Sequence, residues 1–217
     1  MVEGRIRCHF ICRPGAQSRT PALDPVARFE TGLTALMPGV RLVATGPHEI
    51  ELARGPWSIQ AGPSFLRLGY EGLRIDWGEF QQLARAALDT YLDSFGPEQV
   101  EAATLGCTLS LRPSAADILG RVFRVYPVLS HPLAAQVGGF RLAATFHTRQ
   151  SDELFQVYLA GRGGAGSEGI GVIFELDYTR HFRRLVAGEV GNWLRTAPVV
   201  FRELLLGSLR EPDSLGL

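Results

Sequence analysis

The chain has 217 residues, 46% of them hydrophobic, and its 22 basic and 22 acidic side chains give a formal net charge of zero. That length fits one large domain or two small ones sharing a core, and the apolar content excludes a mainly disordered chain. Balanced charge removes any global electrostatic drive toward nucleic acid or a membrane surface and leaves only local patches.

Every basic residue is arginine. Arginine pairs bidentately and stacks, which suits protein or phosphate contacts, and the absence of lysine excludes Schiff-base chemistry. The three cysteines, Cys8, Cys12 and Cys107, are too few and odd in number for a disulfide framework and fit a reducing cytoplasm. The N-terminus lacks the apolar core of a signal peptide, and no run approaches the roughly 18 apolar residues of a membrane span. A cytoplasmic location without membrane contact is expected.

In chain order, residues 5–12 are β-prone, with Ile6, Cys8, Phe10 and Cys12 on one face and His9 on the other. Residues 13–24 are rich in Pro, Ser and Thr and read as a loop. Asp24-Pro25 is a helix start, and Val26, Phe29, Leu33, Leu36 and Met37 form the apolar stripe that follows it. Short strands are expected at Val40–Ala44, Glu49–Ala53, Trp57–Ala61, Phe65–Leu68 and Leu73–Asp76, punctuated by Gly and Pro as in an antiparallel meander.

A helix over 78–95 carries Phe80, Leu83, Ala84, Ala87, Leu88, Tyr91, Leu92 and Phe95 and stops at Gly96-Pro97. A strand follows at Val100–Leu111, and Pro113 to Gly120 marks a lobe boundary. Further strands are expected at Val122–Val128, Phe140–Thr148, Leu154–Ala160 and Ile170–Leu176. A final helix over about 180–206 contains Pro198, which should kink it.

Two stretches repeat one pattern of strand, Asp-aromatic and amphipathic helix. They are Leu73-Arg74-Ile75-Asp76-Trp77 and Phe174-Glu175-Leu176-Asp177-Tyr178. The expected fold is α+β, with two antiparallel-sheet-plus-helix lobes, 1–112 and 113–217, related by an internal duplication.

The meander running into Ile75-Asp76-Trp77, the strand after Gly96-Pro97 and the Phe174–Tyr178 segment before the last helix together resemble a family. It is a sporadically distributed, functionally uncharacterised family of prokaryotic proteins of about this size, and the resemblance covers most of residues 40–206. Its members carry a Leu-Asp-Leu-Asp strand end before a helix rich in Trp, Leu and Phe. The resemblance implies a mobile-element or defence-like setting and transfers no catalytic residue.

Each candidate for chemistry has a plainer reading. Cys8, His9 and Cys12 are metal-ligand types, but His9 points away from the cysteines and no second ligand pair exists, so buried core cysteines are preferred. Of the histidines His9, His48, His131, His147 and His181, none sits in a nucleophile motif. His147, at a strand end beside Thr148 and Arg149, is the one kept as a candidate.

The Gly-rich loop 161–171 contains Arg162, Gly163 and Gly164 and could cradle an anion through backbone amides. It lacks the Gly-Lys-Ser/Thr of a nucleotide loop and reads first as a hairpin connection. Arg180, Arg183 and Arg184 with His181 form a basic cluster at the expected start of the last helix, read first as a solvated face. Asp76 and Asp177 occupy matching places in the two units, and helix capping explains both.

No cofactor or metal is expected. The leading expectation is a non-enzymatic interaction module whose partner is another protein or a second copy. The competing one is an RNA-binding or RNA-processing protein with tandem ferredoxin-like lobes, using Arg162, Gly163, Gly164, Arg180, Arg183, Arg184 and His147. A small-molecule sensor using an inter-lobe cleft is a third.

Overall fold

Alternating apolar and polar residues build the first strand, β1 (Glu3–Pro14), whose Ile6, Cys8, Phe10 and Cys12 are almost fully buried. The structure, a computed structural model, describes residues 3–15, 24–97, 100–112, 139–147, 152–162, 171–182 and 187–208. The expected segments 16–23 and 113–138 and the loop 163–170 lie outside the described residues.

After β1 come α1 (Pro25–Leu36), β2 (Arg41–Thr45), β3 (Ile50–Arg54), β4 (Trp57–Gly62), β5 (Phe65–Gly72) and α2 (Trp77–Phe95). The chain continues through β6 (Val100–Arg112), β7 (Gly139–His147), β8 (Glu153–Arg162), β9 (Gly171–His181) and α3 (Ala187–Ser208). The described strands form one antiparallel sheet in the order β2-β3-β4-β5-β1-β6-β9-β8-β7. The fold is α+β, as the patterning predicts.

The two sequence halves share this sheet. β6 of the first half pairs with β9 of the second from Ala102 to Leu111, and one hydrophobic core runs beneath both. Within the first half, β1, α1, β4, β5, α2 and β6, with sheet order β4-β5-β1-β6, trace the split βαβ path of ferredoxin-like folds, enlarged by β2 and β3.

The helices cover one face. Phe29 and Leu33 of α1, Phe80, Leu88 and Tyr91 of α2, and Trp193, Leu194 and Phe201 of α3 enter the same core as the inner residues of β1, β6 and β9. Asp24 caps α1 by accepting from the Ala27 amide at 3.0 Å. Asp76 caps α2 by accepting from the Gly78 and Glu79 amides at 2.8 and 3.1 Å.

Four expectations are corrected. Leu36 is exposed, because α1 ends there and its stripe closes with Met37 instead. Leu73–Asp76 is not a strand: β5 runs through Gly69 to Gly72, and the next four residues lead into the α2 cap. Asp177-Tyr178 does not open a helix. Both lie inside β9, where Asp177 pairs with Gly106 and Gln156, and α3 begins only at Ala187. Asp76 and Asp177 therefore do not hold matching places.

Pro198 sits inside α3 without ending it. A proline cannot supply the amide that the carbonyl four residues earlier expects, and that carbonyl belongs to Leu194. Gln81 of α2 supplies it instead, its Nε2 donating to Leu194 O at 3.0 Å and Arg195 O at 3.2 Å. The substitution of a neighbour's side chain for a missing backbone donor ties α3 to α2.

Candidate functional site

The face of the sheet opposite the helices carries the other half of the strand alternation. On β1 these positions are Arg5, Arg7, His9, Ile11 and Arg13, on β6 Thr104, Gly106 and Thr108, and on β9 Ile173, Glu175, Asp177 and Thr179. Arg5, Arg7, Arg13, Arg67, Gln156 and Ile173 are exposed there, so this open face is accessible to solvent.

One cross-strand row is unusual in composition. It reads Ser58, Gly69, His9, Gly106, Asp177, Gln156 and Thr145 from β4 to β7. His9 and Asp177 stand two strands apart with Gly106 between them. Both lean over that glycine, and His9 Nε2 comes within 3.5 Å of Asp177 Oδ1. A Cβ on Gly106 would overlap both the carboxylate oxygen and the imidazole edge, so the pairing requires glycine at this position. On the other flank, a Cβ on Gly69 would lie 2.7 Å from Ser58 Oγ.

The pair is half-buried, with side-chain exposures of 22% for His9 and 38% for Asp177. Burial, reinforced by the neighbouring Glu175 charge, pushes Asp177 up to about 6. Burial, reinforced by the Arg67 guanidinium, pulls His9 down to about 4. At neutral pH the pair is therefore a neutral imidazole beside a carboxylate.

Its surroundings differ on the two sides. One adjoining row holds Ile11, Arg67 and the hydroxyls of Thr104 and Thr179, which share a hydrogen bond of 2.9 Å. The other holds Arg7, Glu71, Thr108 and Glu175. There Glu71 takes Arg5 Nη1 at 3.0 Å and Arg7 Nε at 3.1 Å, which ties up both arginines.

The candidates named from sequence do not gather at one place. His147 ends β7 on the open face, exposed and opposite Leu154. Arg162 ends β8 at the register position opposite Gly139 and Gly171, eight residues and roughly 26 Å along the strand from Leu154. Arg180 pairs in register with Ala103 on the helix-covered side, 3.7 Å from Glu153 Oε1 and over the Phe182 ring at 5.4 Å. Gly163, Gly164, Arg183 and Arg184 lie outside the described residues.

His9 and Asp177 were separable in sequence only by strand parity, which put His9 on the outer face of β1. Nothing local to Asp177 distinguishes a strand aspartate from a helix cap, and the register that brings it to His9 is a tertiary property. Among the described residues, no group of three or more His, Cys, Asp or Glu side chains is placed to hold a metal ion. A cleft of about 560 Å³ between α1 and the β2–β3 turn, lined by Asp24, Glu30, Thr45, His48 and Phe95, stands apart from the pair.

No protein-family model matches the chain, and no curated protein matches it. No helix among the described residues is long and apolar enough to cross a membrane.

Proposed function

We propose that the chain is a non-enzymatic interaction module, an accessory subunit of a larger prokaryotic assembly of the mobile-element or defence kind. The observation that carries this is the two-layer build: among the described residues, helices cover one face of the sheet, and the other presents exposed Arg5, Arg7, Arg13, Arg67 and Ile173. That open face interleaves Arg5, Arg7, Arg13 and Arg67 with Glu51, Glu71, Glu175 and Asp177. Mixed charge favours a protein surface over a polyanion, because it gives orientation without a net field. Exposed Ile173 and half-buried Ile11 supply apolar contact between the charges.

The split βαβ order of the first half favours a second reading, an RNA-binding protein that uses its sheet. Sheets of that kind stack bases on aromatic side chains of their central strands. The corresponding outward positions on β1 and β5 include Arg7, His9, Ile11, Phe65, Arg67, Gly69 and Glu71, whose rings are His9 in mid-sheet and the half-buried Phe65 at the far end of β5.

Affinity capture of the tagged chain from its host separates the two readings. The expected result is a stoichiometric protein partner, free of nucleic acid by its absorbance ratio, that the Ile173→Arg and Gln156→Arg chains fail to retain. Bound RNA released by salt would replace the protein reading with the RNA one. Equal capture by the surface variants would move the docking site off the open face.

A further inference from the structure

Cys8 and Cys107 stand directly opposite one another in the β1–β6 ladder, on the helix-covered face at the centre of the sheet, and their thiols share a hydrogen bond. Both are free thiols. We infer that they are a disulfide-forming pair, closed by a small-molecule disulfide such as oxidised glutathione while the chain is open, and sealed from exchange once the helices pack over the sheet. This stands apart from the docking reading, because it concerns the inner face.

The register favours this pairing over the other two. Directly opposed residues of an antiparallel ladder have Cα atoms roughly 4.5–5.5 Å apart, inside the window of about 4.4–6.8 Å that a disulfide spans. Cys12 shares the buried face, but its partner on β6 is Ala103, and it stands four residues, roughly 13 Å, along the strand from Cys8. In the unfolded chain the order of preference is reversed. Cys8 and Cys12 are then near neighbours, and closing the long loop from Cys8 to Cys107 costs more entropy. A Cys8–Cys107 bridge therefore reports native register. It would fasten β1 to β6, the strand on which β9 of the second half pairs.

The exchange balances. In the open chain Cys8 gives its proton to solvent, and its thiolate attacks one sulfur of the oxidant, forming a mixed disulfide and expelling one thiolate. The Cys107 thiolate then attacks the Cys8 sulfur, forming the bridge and expelling the second. The two cysteines lose two electrons, the oxidant's S–S bond takes them up, and two protons end on the two released thiols. In the folded chain Cys8 is 2% and Cys107 1% exposed, and burial, aided by the Cys107 thiol, holds Cys8 in its protonated form. Neither exchange step then has a nucleophile within reach of the oxidant, so the folded chain keeps the redox state in which it folded.

Refolding of the full chain tests this. The reduced chain is unfolded in urea and diluted into a mixture of reduced and oxidised glutathione; free thiols are then alkylated and the linkage is mapped by mass spectrometry. A Cys8–Cys107 bridge with Cys12 alkylated is expected. Any other linkage, or three free thiols, overturns the pairing. The folded, reduced chain placed in the same mixture for the same interval should keep all three thiols, and a bridge formed as fast as on refolding overturns the seal. The bridged chain should unfold at a urea midpoint higher, by on the order of 1 M, than the same chain after reduction. The Cys12→Ala chain should keep that difference and the Cys107→Ala chain should lose it. A bridged wild-type chain no more resistant to urea than the reduced one overturns the placement of the bridge in the native sheet.

Discussion

Cys8 and His9 are neighbours in sequence and opposites in environment. The inner face of β1 carries Ile6, Cys8, Phe10 and Cys12, none more than 2% exposed, pressed against α1, α2 and their sheet neighbours. Burial, aided by the facing Cys107 thiol, raises Cys8 far above its ordinary value, and burial alone pushes Cys12 up to about 12. These thiols stay protonated and behave as small hydrophobes. The outer face carries Arg5, Arg7, His9, Ile11 and Arg13; Arg5 and Arg7 pair with Glu71 in solvent, Arg13 is exposed, and His9 is half-buried beside Asp177 over Gly106. One strand thus separates two environments by the period of its pleat: the inner face packs into the core, and the outer face carries the polar and titratable side chains.

The most forceful way to break this comparison is to empty the inner face. Phe10 is fully buried at the centre of the core. Phe10→Ala should cost about 3–5 kcal/mol in urea unfolding, the loss of a large buried ring plus the cavity left behind. A loss no larger than that of an outer-face variant would mean that the helices do not pack on β1 as described.

A smaller effect sharpens the outer face. Asp177 is raised from its ordinary 3.8 to about 6, so between those values the native state binds more protons than the unfolded state and stability falls as pH rises. His9 is lowered from 6.5 to about 4, so over nearly the same window the native state binds fewer protons and stability rises with pH. The two contributions oppose one another, and the wild-type chain should show little slope from them between about pH 4 and 6. Single variants unmask the halves. Asp177→Asn should leave stability rising with pH through this window, and His9→Gln should leave it falling. Parallel slopes in the two variants, measured as urea midpoints across the range, would mean that the pair does not exist in solution.

Legibility from sequence followed the same division. The inner face was readable because period-two and helical patterns report burial directly: the β1 residues, the α2 stripe and the Asp24 and Asp76 caps all stand where the patterns put them. The site was not readable because it depends on register. His9 meets Asp177 only through three strands, one of them recruited from a distant part of the chain, and Gly106 in a strand reads simply as a small residue. The Asp-aromatic pattern at Asp177 misled for a physical reason. An aspartate before an aromatic suits a helix cap or the solvent side of a strand equally, and only the pairing with β6 and β8 distinguishes them.

The smallest effect tests the ion cluster one row away. Arg7, by hydrogen bonding, holds Glu71 below the usual carboxylate range, with Arg5 adding to it. A carboxyl lowered in this way contributes stability above its unfolded value and loses it as pH falls through its folded value. Because Glu71 and its arginines are in solvent, the interaction is screened by salt. Glu71→Gln should lower the urea midpoint slightly at low ionic strength and not at all in high salt, with the slopes of the Asp177→Asn and His9→Gln chains unchanged. A salt-dependent change in those slopes on adding Glu71→Gln would mean that the two rows titrate as one network. The half-buried pair would then owe its values to Arg5, Arg7 and Glu71 rather than to burial with the neighbouring Glu175 and Arg67, and proton uptake on this face would belong to the whole charged surface.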